Sequence, residues 1–135
     1  RVFPENFVTT ETKEVFLNAE PLEVILKNLE KINEIDNLDV YILSLARSFI
    51  IVEEKKQWLK KYAPFIREEN YILLNKENGD YNAENREFIK SIKMMEKLNE
   101  YDYVILLDDD HKILKRTLNE IGKNGEVFHV SSATM

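Results

Sequence analysis

Apolar positions along the chain recur with two alternating periods, and the switches between them mark its elements. After Pro21, a suitable first helical residue, Leu22, Ile25, Leu26, Leu29 and Ile32 recur at helical spacing, which predicts a helix ending near Asn33 to Asn37. Asp39-Val-Tyr-Ile-Leu-Ser44 follows as a short apolar run with a hydroxyl at its end, the pattern of a buried strand. A second helical stripe runs through Ile51, Lys55, Trp58, Leu59 and Tyr62 and is closed by Pro64. Tyr71-Ile-Leu-Leu74 is a short strand, and Asn78-Gly79-Asp80 carries turn chemistry. Phe88, Ile89, Ile92, Met95 and Leu98 or Asn99 predict a third helix, with Met94, Met95 and Trp58 read as core filling. Val104 to Leu107 is the next strand, apolar at four successive positions and expected to be buried on both faces. Ile113, Leu114, Leu118 and Ile121 give a fourth helix, stopped by Gly122 or Gly125, and Glu126-Val-Phe-His-Val130 is the last strand. Residues 1–17 show no sustained period, although Phe7-Val-Thr-Thr10 fits a short strand. Helix and strand alternate without repeat or linker, which predicts an α/β fold with a doubly wound parallel sheet and right-handed crossovers.

The strand at Val104–Leu107 is followed at once by Asp108, Asp109 and Asp110. In open α/β sheets the C-terminal strand edge is where ligands bind. Three adjacent carboxylates there raise one another's proton affinity unless a positive charge sits among them, and Mg²⁺ shared with phosphate oxygens is a common one. One acid also suits the N-cap of the helix that follows, but capping accounts for one and leaves two.

Composition narrows the choice. At 135 residues with 44% apolar positions, the chain is expected to be a single globular domain spanning residues 1–135. Its net charge of −6 argues against broad binding to nucleic acid or acidic membranes, yet allows a local basic pocket. Without cysteine there is no disulfide, thiolate metal site or cysteine nucleophile. No apolar run has the length of a membrane span, so no membrane partner and a cytoplasmic location are expected. The first residue is Arg1 instead of Met, from which a missing upstream segment is expected.

Several chemistries drop out. A P-loop needs a glycine-rich turn ending in Lys-Ser/Thr, and none of Gly79, Gly122 and Gly125 is followed by such a pair. A dinucleotide fingerprint and a serine-hydrolase elbow around Ser44 fail for want of glycines. His111 and His129 lack metal-ligand spacing and read as a helix-start and a strand residue. Phosphate chemistry without a P-loop remains: a strand-end hydroxyl, a lysine to neutralise charge, and acids for the metal.

Taken in order, VYILS, the segment GDYNAENREFIK and VILLDDDHKIL resemble the second, third and fourth motifs of the haloacid dehalogenase superfamily of phosphohydrolases. EKKQWLKKYAPF and EVFHVSSA are similar to segments of the branch holding polynucleotide 3′-phosphatase domains and small deoxyribonucleotidases. The resemblance covers roughly residues 20–134 and implies a HAD-like, Rossmannoid domain. It implies Ser44 as the phosphate-binding hydroxyl and Lys90 as the charge-neutralising lysine, with Lys93 and Lys76 as alternatives. It further implies Asp108 and Asp109 as Mg²⁺ ligands. Arg47, Arg86 and Arg67 are candidate contacts for a phosphorylated small molecule, a nucleotide or a nucleic-acid end.

The superfamily's nucleophile lies in an Asp-x-Asp-x-Thr motif at the end of its first strand, which this sequence lacks. Phe7-Val-Thr-Thr-Glu-Thr-Lys13 puts Thr9 and Glu11 where two aspartates belong, and a threonine cannot form an aspartyl-phosphate. The first strand is therefore expected to be missing, supplied by residues upstream of Arg1, by the N-terminal stretch or by another chain. The leading expectation is a Mg²⁺-dependent phosphatase domain whose nucleophile lies upstream. A degenerate, non-catalytic binding or interaction module of the same lineage is the alternative, and a phosphoacceptor signalling domain is a third reading.

Overall fold

The computed structural model describes residues 23–129. The strand expected at Phe7–Thr10, Thr9 and Glu11, the helix start at Pro21 and Leu22, and Val130 lie outside the described residues. Four helices and four strands alternate through the rest: α1 (Glu23–Asn33), β1 (Ile42–Ala46), α2 (Phe49–Tyr62), β2 (Tyr71–Asn75), α3 (Ile89–Lys97), β3 (Val104–Asp108), α4 (His111–Ile121) and β4 (Gly125–His129). The protein is thus a mixed α/β fold.

Its strands pair in parallel, β1 with β2 and β3 with β4, so among the described residues they make two two-stranded sheets rather than one continuous sheet. Both pairs contribute to the same two cores. Ile42 of β1 joins Leu29, Trp58 and Leu59 from α1 and α2, and Leu107 of β3 packs against that cluster. Leu43 and Leu45 of β1 and Val104 and Leu106 of β3 join Ile89 and Met94 of α3 and Ile113, Leu114 and Ile121 of α4. Successive strand residues point to opposite faces, so this sorting puts α1 and α2 against one face and α3 and α4 against the other.

The two pairs also start at a common edge. Tyr101, just before β3, donates its hydroxyl to Asp39 at 2.5 Å, and Tyr41, just before β1, lies 2.7 Å from the same hydroxyl. Tyr101 has one proton and gives it to the carboxylate, so Tyr41 is the donor in the second bond.

Several expected boundaries and faces shift. β1 runs to Ala46, so Ser44 is its central residue rather than its last, and the whole strand is buried. β3 is not buried on both faces: Val104 and Leu106 are in the core, but Ile105 is 50% exposed. In α3 the expected stripe is rotated. Ile92 and Met95 face solvent while Ile89, Lys90, Ser91 and Met94 are buried, because Lys90 turns inward to meet a partner on β3. In α4, Thr117 is buried where Leu118 was expected. Of the two candidate stops, Gly122 caps α4 with φ at +56°, a conformation L side chains rarely adopt. Gly125 instead opens β4, paired with Val104, where a Cβ would run into the Val104 carbonyl and Ile121.

Candidate functional site

Asp108 ends β3 and is 1% exposed, as is Lys90 near the start of α3. The two meet at 2.7 Å between Nζ and Oδ2. Burying either charge alone carries a penalty of several kcal/mol, so each is tolerable in this place because of the other. The second Asp108 oxygen accepts from the Asp110 backbone N–H at 3.0 Å, which bends the chain away from β3 toward α4. Asp110 caps α4: its side-chain oxygen accepts from Lys112 N at 2.9 Å and Ile113 N at 3.2 Å. The three acids therefore divide into a buried ion-pair partner, a helix cap, and Asp109 between them.

Asp109 is exposed, yet its carboxyl is pushed up to about 6. Desolvation contributes most, then the hydrogen bond and charge of the Asp108 carboxylate, with Lys90 pulling the other way. Lys90 offsets only part of the rise at Asp109, which leaves the two carboxylates short of positive charge. That donor set suits Mg²⁺, which takes one or two carboxylates and fills its shell with water and phosphate oxygens. Asp109 is exposed and can meet such an ion, Asp108 can share it only through the remaining lone pairs of oxygens already bonded to Lys90 and Asp110 N, and Asp110 is occupied as a cap.

The other half of the candidate site belongs to β1. Ser44 is fully buried and accepts a 2.7 Å hydrogen bond from the Lys55 ammonium of α2, which also donates to the Leu45 carbonyl. Lys55 is 2% exposed. In the sequence it is one position of the α2 stripe. A lysine at the inward position between Ile51 and Trp58 is the signal that could have singled it out, since a buried ammonium needs a polar partner.

Tyr81 connects the two halves. It is buried and donates its hydroxyl to the Ala46 carbonyl at 3.2 Å, at the C-terminal end of β1. Burial raises its proton affinity, and the charges of Arg86, Arg47 and Lys90 oppose that rise. Lys90 in turn holds Asp108 at the end of β3, and Arg47 directly follows the end of β1. Nothing local in the sequence distinguishes Tyr81, which sits in the segment leading into a helix.

The structure separates the alternative lysines and arginines. Lys93 sits on the exposed side of α3 with Glu96 at 3.4 Å, and Lys76 follows β2. Of the three, Lys90 is the one that bonds Asp108. Arg67 precedes β2, at the opposite strand edge, and pairs with Glu69 at 3.2 Å.

Two residues outside the expected site also meet here. His111 opens α4 and His129 closes β4 as expected, and their rings stack with centroids 3.9 Å apart and planes 3° from parallel. The register Asp108↔His129 brings the second ring to the first. No spacing rule could have found them, because they lie 18 positions apart in sequence, on different elements. His111, Asp109, Asp110 and Lys112 line an open depression at this edge.

Compared with family models, curated proteins and solved structures, the chain matches none. No helix among the described residues is long and apolar enough to cross a membrane.

Proposed function

We propose that this chain is a doubly wound, HAD-like domain whose C-terminal strand edge binds a phosphomonoester together with Mg²⁺, as part of a phosphatase. The observation that carries the reading is the buried Lys90–Asp108 pair at the end of β3, with Asp109 exposed beside it. Cations and carboxylates gathered at one strand edge suit a ligand that brings both phosphate and a divalent ion.

In this reading Asp108 and Asp109 hold Mg²⁺, which when bound neutralises phosphate charge and orients its oxygens. Arg47 and Arg86 contact the substrate from the β1 side. Lys90 keeps Asp108 ionised and oriented. Ser44, fixed by Lys55, contributes its hydroxyl to the phosphate side, and Lys55 joins Lys90 as a candidate charge-neutralising lysine because it bonds that hydroxyl directly. In this reading the attacking carboxylate is none of the residues named at this edge.

Calorimetric titration of the 135-residue chain with inorganic phosphate, with and without Mg²⁺, tests the reading. Phosphate binding that requires Mg²⁺ and is lost in Asp109→Asn is expected. Phosphate binding indifferent to both, or no binding at all, would sink it. A binding-only module would bind in the same way yet show no hydrolysis of p-nitrophenyl phosphate in the full-length gene product.

A further inference from the structure

β3 and β4 pair in parallel, and parallel strands are ordinarily covered on both faces. Here one face is covered and the other only in part. Val104, Leu106 and Val127 pack against the apolar residues of α3 and α4. The register puts Ile105 beside Glu126 and Leu107 beside Phe128 on the opposite face. Leu107 reaches the cluster built by α1 and α2, but Ile105 stays 50% exposed and Phe128 49%. Tyr103, two residues before Ile105, is half-exposed as well. Large apolar side chains thus lie open on one short sheet, the kind of patch that marks a docking surface.

What fits this patch follows from where α1 comes from. Leu29 and Ile32 of α1 belong to the cluster that Leu107 joins, so α1 lies on this same face. Asn33, its last residue, donates from Nδ2 to the Phe65 carbonyl at 3.2 Å, in the connection that leads into β2. α1 therefore ends at the edge where the strands start. Its 11 residues, about 16 Å of helix, carry its first turn toward the edge where they end. The chain entering Glu23 arrives on the face of Ile105 and Phe128. That chain, residues 1–22, holds the apolar run Val15-Phe-Leu17. The six positions from Leu17 to Glu23 reach about 20 Å when extended, against a spacing of about 5 Å between adjacent strands, so the run can meet the patch. Lys13, two positions before Val15, carries the charge opposite to that of Glu126. A second copy of the chain suits the patch less well. Each copy has a net charge of −6, and a two-fold contact on this face would gather two copies of Glu126.

We propose that residues 13–17, Lys13-Glu-Val-Phe-Leu17, dock on the open face of β3 and β4, with apolar side chains of Val15 to Leu17 against Ile105 and Phe128. The contact braces β3, the strand that holds Asp108 against Lys90. It does not depend on the phosphatase reading, and either can fail without the other.

The chain has no cysteine, so Phe128→Cys and Ile105→Cys each supply a single thiol at an exposed position. Each full chain is labelled with a benzophenone maleimide, irradiated, digested and mapped by mass spectrometry. Both are expected to form adducts, within one chain, to the peptide holding residues 13–17. Ile92→Cys, exposed on α3 at the other side of the sheet, is the control and is expected to leave that peptide unmarked. Phe16→Asp in the Phe128→Cys chain is expected to lower the adduct yield by about tenfold or more, the factor that burying one such ring is worth. Two label positions keep the test open if one variant does not fold. Adducts between chains would assign the face to a second copy and overturn the proposal. So would adducts confined to other residues, no adduct from either position, equal marking by Ile92→Cys, or an undiminished yield with Phe16→Asp.

Discussion

Replacing Lys90 with methionine keeps most of the side chain's length and removes its charge, leaving the Asp108 carboxylate buried without its ammonium. Both side chains are 1% exposed and meet at 2.7 Å, so water cannot stand in for the lost partner without opening the packing between α3 and β3. Breaking such a pair from one side costs about 3–5 kcal/mol. Against a total stability of about 5–15 kcal/mol for a domain, that is a large fraction, and the variant is expected to be strongly destabilised. Asp108→Asn exposes the opposite imbalance and is expected to be destabilised too, though an amide oxygen can still accept from Asp110 N. Lys90→Met/Asp108→Asn removes both charges and is expected to be more stable than Lys90→Met alone. Urea denaturation of the four proteins closes a double-mutant cycle, with an expected coupling of about 1–3 kcal/mol. Additivity within about 0.5 kcal/mol would refute the reasoning. It would mean that the pair is held by its surroundings and that α3 does not turn inward for Asp108.

Three other outcomes are expected. Asp110→Ala should cost about 1 kcal/mol in urea denaturation by removing the acceptor for Lys112 N and Ile113 N, while Asp110→Asn should recover most of it; an unchanged midpoint in Asp110→Ala would show that the cap contributes nothing. Gly125→Ala is expected to cost about 1–3 kcal/mol, because the new Cβ meets the Val104 carbonyl and Ile121. The backbone there is extended, with φ at −176°, so the cost is one of packing, and amide exchange localised to β4 would report it. The Asp109 carboxyl is raised from 3.8 to about 6, so the fold disfavours its charged form and stability contributed by this group is lost as pH rises through that window. Asp109→Asn should therefore match the parent chain near pH 4 and melt at a higher temperature above pH 6; a constant difference across that range would contradict the shift.

Some of the site could be read without coordinates because its signals are local. The acid run after an apolar strand, and the cap that opens the following helix, lie within a few residues of one another. Lys90 was selectable only among three lysines, since Lys76 and Lys93 occupy equally plausible spacings and what distinguishes Lys90 is a carboxylate 18 residues away on another element. Ser44 was identifiable as a hydroxyl in an apolar run, but its bond to Lys55 depends on which face of α2 lies against β1. Even the periodicity of α3 misled. Ile92 and Met95 fit an apolar stripe, yet a buried ion pair rotated the helix by offering Lys90 a partner.

The sequence by itself determined the alternation of helices and strands, the caps and turns that separate them, and the concentration of acid at the end of β3. Those features arise from interactions within one or two turns of chain, where hydrophobic period, Asp110 and Gly122 act on their own neighbours. Tertiary structure alone decided that β1 pairs with β2 and β3 with β4, that Lys55 meets Ser44, that Tyr81 bonds the Ala46 carbonyl, and that His111 lies flat on His129. Each of these joins groups from separate elements. Which partners a buried charge or an aromatic ring finds is set when strands pair and helices settle against them, because only then does the desolvation of one group depend on the position of another.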